Sequence, residues 1–247
     1  MKNYRKLYIP ASVVRQIHQL QPREYCRRMY FGPNSIMNYW HRHGLERTLN
    51  LLPIEPTDRV LDVGCSDGML LFSLERYSAF SIGIDFSHSM VKWAKRFSPQ
   101  SSVMVSNGLA LPLKDNSFSR VFCLEVLEHV TNPDSVIAEI TRVLDHQGKA
   151  VITVPIEIGP ALLLKRIVSR LLRWNRGDHY NWSQLWQAGV MRSVHSLEHK
   201  QDHFGFDFRK IERTLKNHLT LNHRGFLPMP WLGSLFNIRA AFLATKN

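Results

Sequence analysis

Between Arg59 and Pro155 short apolar runs alternate with helical stretches, and this alternation constrains the fold more than any other feature of the sequence. Residues 60–63, 81–84, 103–105, 120–124 and 149–154 read as strands. Residues 69–77 read as a helix, and Ser87 can cap another that runs to Phe97. A helical segment begins over 125–129, and Pro133 with Asp134 opens a further helix ending near Gly148. Strands and helices in strict alternation predict a parallel sheet with helices on both faces. A late helix over 208–217 precedes strands at 219–224 and 238–245, which suits an antiparallel edge. The expected class is therefore α/β, doubly wound and mainly parallel.

Two regions break the rhythm. Residues 1–55 carry Ile36, Tyr39, Trp40, Leu45, Leu49 and Leu52 at helical spacing and are expected to form an N-terminal helical cover, closed by Pro53 and Pro56. The main domain is expected over 56–247, with an insertion at 156–204. Within the insertion, 160–174 reads as an amphipathic helix. Leu163, Leu164, Ile167, Val168, Leu171 and Leu172 form its stripe, with Lys165, Arg166, Arg170 and Arg173 largely off it. Such a helix packs on its own domain, lids an apolar pocket, or touches anionic lipid headgroups. Arg176, His179, Tyr180, Trp182 and Trp186 follow; aromatics among basic groups stack on bases or shape a small-molecule pocket.

The 247 residues carry a formal charge of +12, which draws anionic partners, whether nucleic acid, a membrane face or a phosphorylated compound. The three cysteines, Cys26, Cys65 and Cys123, form no CxxC pair, which argues against a disulfide framework or a cysteine zinc site. A reduced, cytoplasmic setting fits, with the inner membrane face as a peripheral alternative. The start, Met1 to Lys6, is polar and lacks the apolar run of a signal peptide. No run reaches the ~18 apolar residues that span a bilayer.

The chemistry concentrates after the first strand. Val60-Leu61-Asp62-Val63-Gly64-Cys65-Ser66-Asp67-Gly68 delivers a buried strand to a tight glycine turn and then a helix. Glycine there lets backbone approach a ligand. Asp85 ends the second strand, where a carboxylate can accept both hydroxyls of a ribose. Asp85 could instead merely cap the next helix, but loop and carboxylate in this order favour a nucleoside. The NAD fingerprint GxGxxG is absent.

VLDVGCSDG, GIDFS, ALPLKDNSFSRVFCLEVLEHV and ITRVLDHQGKAVITVP together resemble the successive motifs of class I S-adenosylmethionine-dependent methyltransferases. More narrowly they are similar to the type 11 group that includes quinone-biosynthesis methyltransferases. The likeness covers about residues 59–155, with an echo at 203–245. It implies a Rossmann-like fold and S-adenosylmethionine as cofactor. Asp62, Gly64, Cys65, Ser66 and Gly68 would line the methionine side, Asp85 would hold the ribose, and Phe86 would lie beside the adenine. Asn107 and Gly108 would approach the adenine edge, and Leu124 and Glu125 would lie under the cofactor. The family often has Gly at Ser66 and Asp at Asn107; Asn still accepts through its carbonyl oxygen, without the charge.

Methyl transfer from a sulfonium is an in-line displacement, so positioning supplies much of the rate. A base is needed only where the acceptor must lose a proton. The candidates are Glu125, His129 and His203. If helical, Glu125, Glu128 and His129 share one face and could hold a divalent cation, as in certain metal-assisted O-methyltransferases that act on catechols or RNA 2′-hydroxyls. The plainer alternative, preferred here, assigns no metal. His203 precedes the late helix, at the rim that the resemblance gives to the acceptor site. The expected acceptor is small or lipid-like, with nucleic acid disfavoured. Two rivals remain: Ser66 within G-x-S-x-G as a hydrolase nucleophile, and a cofactor-binding scaffold without catalysis.

Overall fold

A computed structural model describes residues 30, 35–78, 80–171, 181–190, 205–227, 229, 231 and 233–246. In chain order the elements are α1 (Ser35–Leu51), β1 (Arg59–Val63), α2 (Met69–Leu74), β2 (Phe80–Asp85), α3 (His88–Phe97), β3 (Ser102–Val105), β4 (Phe118–Leu124), α4 (Pro133–Val143), β5 (Leu144–Pro155), α5 (Pro160–Leu171), α6 (Trp182–Gly189), α7 (Phe208–His218), β6 (Leu219–Leu227), α8 (Gly233–Phe236) and β7 (Arg239–Lys246). Seven strands form one sheet in the order β3-β2-β1-β4-β5-β7-β6. The first five run parallel, and β7 pairs antiparallel with both β5 and β6. This is the doubly wound, Rossmann-like sheet with an antiparallel edge that the sequence predicts.

The strand order reverses between β1 and β4. Successive connections from β1 run toward β3 on one side, and those from β4 run the other way. A crevice opens at the carboxyl ends of strands at such a switch point. The site must therefore be sought around the residues that follow β1 and β4.

Two cores sandwich the sheet. On one face Leu45, Leu49, Leu52 and Ile54 bury themselves with Val60, Phe122 and Val151, so α1 lies against the centre of the sheet. On the other face Leu61, Val63, Val121 and Ile152 meet Val136, Ile137 and Ile140 of α4 together with Ile211 and Leu215 of α7. Side chains on β1 alternate between the two faces, as a strand buried on both sides requires.

Local chemistry sets the helix starts. Ser87 accepts from the Met90 N–H at 3.4 Å, as expected for the cap of α3. Asn132 accepts from Ser135 N–H at 3.2 Å ahead of Pro133, and a capping box of Asn181 and Gln184 opens α6.

Three expected boundaries are corrected. The helix after the glycine turn ends at Leu74, where Tyr77 N–H closes a tighter turn onto the Leu74 carbonyl at 2.8 Å. The helix after Pro133 ends at Val143, and the polar stretch 145–148 belongs to β5. Residues 125–129 are not a helix. Glu125 has φ 56°, in the left-handed region, and His129 N–H closes a turn onto the Val126 carbonyl at 2.9 Å. Of the expected amphipathic helix, α5 covers the part up to Leu171; Arg173, Arg176, His179 and Tyr180 lie outside the described residues.

Candidate active site

The turn after β1 is fastened to the end of β2 by backbone. Gly64 and Cys65 both donate to the Ile84 carbonyl, at 2.7 and 2.9 Å, and Gly68 donates to Cys65 at 3.0 Å. Gly64 and Gly68 have φ 78° and 89°, conformations that glycine adopts without penalty. A Cβ on Gly64 would run into Val126, and one on Gly68 would sit 2.9 Å from the Ala94 Cα in α3. Ser98 Oγ donates to the Gly68 carbonyl at 2.9 Å and locks the far end of the turn.

Ser66 also takes a left-handed φ, 49°. For an L-residue this costs on the order of 1 kcal/mol, so the turn keeps its shape against a strain that glycine would not carry. Its hydroxyl faces the Met90 sulfur at 3.8 Å, and no imidazole among the described residues serves it as the base that the nucleophile reading of G-x-S-x-G requires.

Asp85 organises the crevice. One carboxylate oxygen accepts from the Ser66 N–H at 2.9 Å and the other from the Ser87 N–H at 2.8 Å. It therefore ties the β1 turn to the β2 turn, and each oxygen keeps a second acceptor site for a ligand. Asp62, one residue before the end of β1, is buried, and no cation faces it among the described residues. Burial first, and the Asp85 charge second, push its carboxyl up to about 8. An acid pair at the floor of a crevice favours a cationic ligand group.

Phe86 projects into solvent, 79% exposed, while Gly108 is buried with φ 72°. Asn107 is exposed, and its carbonyl oxygen accepts from Leu109 N–H at 3.1 Å. Val105 and Leu109 add exposed apolar surface nearby. The geometry thus gathers Asp62, Gly64, Cys65, Ser66, Gly68 and Asp85 around one turn, with Phe86 and Asn107 on the loops after β2 and β3. The Cys65 thiol is pushed up by burial and the neighbouring acids, so it stays protonated.

Leu124 ends β4 and Glu125 follows it, beside the β1 turn, and Glu125 N–H donates to the Thr153 carbonyl at 3.0 Å. The supposed helical face of Glu125, Glu128 and His129 does not exist. Glu125 forms an ion pair with Arg239 at 3.2 Å, Glu128 is fully buried, and the His129 side chain is 46% exposed, its Nε2 3.8 Å from Glu128. Glu128 is pushed up to about 9, by burial first and the Glu125 charge second. Among the described residues no three His, Cys, Asp or Glu side chains gather as a metal site. His203 lies outside the described residues.

Sequence reasoning missed Gly83, Ser87 as a second tie to Asp85, and Arg239. A Cβ on Gly83 would come within 2.9 Å of Cys65, so this glycine makes room for the turn. Its position inside an apolar strand was the available signal.

Comparison with known proteins agrees with this geometry. Residues 61–152 match the family described as Methyltransferase domain. The ubiquinone biosynthesis O-methyltransferase of Xanthomonas axonopodis pv. citri is 31% identical over 163 residues, which cover 58% of this chain and 67% of that protein. The chain belongs to the class I S-adenosylmethionine-dependent methyltransferases. The enzyme of the same name from Xanthomonas oryzae pv. oryzae is 35% identical over 132 residues, 49% of this chain and 54% of the relative. The chain thus spans about half the length of several curated relatives it matches. Magnesium protoporphyrin IX methyltransferase from Synechocystis, solved with bound S-adenosylhomocysteine, superposes with TM-score 0.58 at 18% identity over 90% of this chain and 92% of that one. A Pyrococcus horikoshii crystal structure gives TM-score 0.62 at 19% identity, covering 90% and 98%. At these identities the two structures speak for the fold.

Proposed function

We propose that the protein binds S-adenosylmethionine at the turn after β1 and transfers its methyl group to a small or lipid-like acceptor, chiefly by holding the two in line. The observation that carries this reading is Asp85, ionically poised at the end of β2 with both oxygens tied to the N–H groups of Ser66 and Ser87. That arrangement presents a rigid carboxylate to a ribose beside a turn stripped of side chains. The buried acid Asp62 suits the cationic end of such a cofactor. When bound, the cofactor supplies a methyl group already activated by its sulfonium, so the chain's contribution is orientation and exclusion of water. Gly64 and Gly68 admit the ligand backbone-close, Phe86 offers an apolar face for the adenine, and Glu125 stands where the acceptor side begins.

The lipid-like acceptor is supported by the named activity of the Xanthomonas relatives and by the apolar surface of α5, where Leu164 and Ile167 are exposed. No helix among the described residues is long and apolar enough to cross a membrane, so any lipid contact is made from the side. The test is incubation with tritiated S-adenosylmethionine and a detergent-dispersed lipid extract. Tritium is expected in the organic phase with the native chain and not with Asp85→Ala. Label confined to the aqueous phase, in RNA or protein, would refute the lipid-like acceptor.

A further inference from the structure

The start of β7 and the first turns of α1 bring a polar trio to the acceptor side that no motif announces. Arg239 opens β7, paired in register with Pro155 at the end of β5. Its Nε lies 3.2 Å from Glu125 Oε2, and its Nη2 lies 2.8 Å from His41 Nδ1. Arginine has only donors, so His41 Nδ1 accepts and the ring proton sits on Nε2. His41 is buried, 5% exposed. Gly44, three residues along the same helix, leaves the space: a Cβ there would stand 2.6 Å from Arg239 Nη1. The guanidinium is therefore held from two sides, by helix and by carboxylate.

The carboxylate is not symmetrically served. Glu125 Oε2 meets Arg239, whereas Oε1 is buried and has no hydrogen-bond partner among the described residues. A buried carboxylate oxygen left without a donor is destabilising. The backbone beneath it is held at φ 56°, a strained setting that clusters at functional sites. Glu125 also follows β4 at the switch point, next to the strand that leads into the glycine turn.

We propose that Arg239 is a positioning residue: by engaging Glu125 Oε2, with His41 behind it, it turns Oε1 toward the acceptor, where it accepts a hydrogen bond from the acceptor's hydroxyl. The inference rests on the methyltransferase reading above. Arginine does not lose its charge, so its hold on Glu125 Oε2 persists across the pH range of the assay. An unpartnered carboxylate oxygen accepts from a hydroxyl and repels a second carboxylate, so a neutral hydroxyl compound is favoured.

The test uses S-adenosylhomocysteine for the cofactor site and catechol as a neutral hydroxyl probe, titrated into the S-adenosylhomocysteine-loaded chain. Arg239→Met is expected to bind S-adenosylhomocysteine within about threefold of the native chain, yet to bind catechol about tenfold more weakly. Arg239→Lys is expected to recover part of the loss, and Glu125→Gln/Arg239→Met to be no weaker than Glu125→Gln alone. Thermal unfolding checks that each variant is folded. Should Arg239→Met fail to fold, the double variant, which leaves no buried unpaired charge, still compares with Glu125→Gln. Unchanged catechol binding in Arg239→Met, additive losses in the double variant, or no catechol binding by the loaded native chain would each overturn the assignment. Failure of the folded native chain to bind S-adenosylhomocysteine would instead strike the reading beneath it.

Discussion

The two sides of the crevice are built differently. The cofactor side is a local construction: residues 62–68 and 83–87 close on each other through backbone N–H groups, with one carboxylate as the clasp. The acceptor side is assembled from afar. Glu125, Arg239 and His41 come from the middle, the end and the beginning of the chain, and they meet through side chains alone. A backbone-held turn tolerates changes of side chain but not of glycine. A side-chain trio tolerates backbone drift but not the loss of one charge.

The sharpest way to break this contrast is at Gly68. Gly68→Val places a branched Cβ against the Ala94 backbone at φ 89°. The expected result is loss of S-adenosylhomocysteine binding by about a hundredfold or more, with destabilisation of about 1–3 kcal/mol in chemical unfolding. Retention of native affinity would mean that the turn is not the binding element.

A smaller effect follows from Asp62. Its carboxyl is held up to about 8 in the ligand-free chain, so a cationic group bound beside it must expel a proton at neutral pH. Affinity for S-adenosylhomocysteine is therefore expected to climb from about pH 6 to about pH 8, by at most about tenfold per pH unit, and then level off. Asp62→Asn should flatten the profile. Calorimetry in buffers of different ionisation enthalpy would report the released proton; a native profile flat across this range contradicts the placement of the cationic end.

On the acceptor side, Glu128 tests burial without a ligand. Its folded pKa of about 9 exceeds the ordinary carboxyl value, so the folded chain keeps a proton that the unfolded chain gives up. The stabilising contribution is whole at acid pH, declines as pH rises past the unfolded value, and is gone above the folded one. Glu128→Gln, which mimics the protonated form, should remove part of that decline and be more stable than the native chain near pH 9 by about 1–2 kcal/mol. Parallel unfolding curves for both chains from pH 5 to pH 9 would count against a buried neutral Glu128.

The smallest effect is expected at Ser66→Gly. Relief of the left-handed strain, on the order of 1 kcal/mol, is offset in part by the freer unfolded chain. Stability should change by less than about 1 kcal/mol, with cofactor affinity unaltered or modestly improved. A large loss would show that the Ser66 side chain itself is needed.

What could be read from the sequence follows the same division. The turn after β1, Asp85 and the alternating strands were legible because each is a local pattern, fixed by a few neighbouring residues. Arg239 and His41 were not, since 198 positions separate them and neither sits in a recognisable motif. The segment 125–129 misled because its carboxylates and histidine fall at helical spacing, while the left-handed backbone at Glu125, imposed by its pairing with Thr153 and Arg239, prevents a helix from starting. The stretch 145–148 reads as the end of the helix that Pro133 opens, yet Leu144 pairs with Phe118 and starts a strand that runs through it.

The most direct test of the central claim is calorimetric titration of the native chain and of Asp85→Ala with S-adenosylhomocysteine, with NAD as the control ligand. The account predicts saturable micromolar binding by the native chain, no response to NAD, and loss of binding by about a hundredfold in a folded Asp85→Ala. Binding that survives Asp85→Ala intact, or a folded native chain that does not bind S-adenosylhomocysteine, would contradict it.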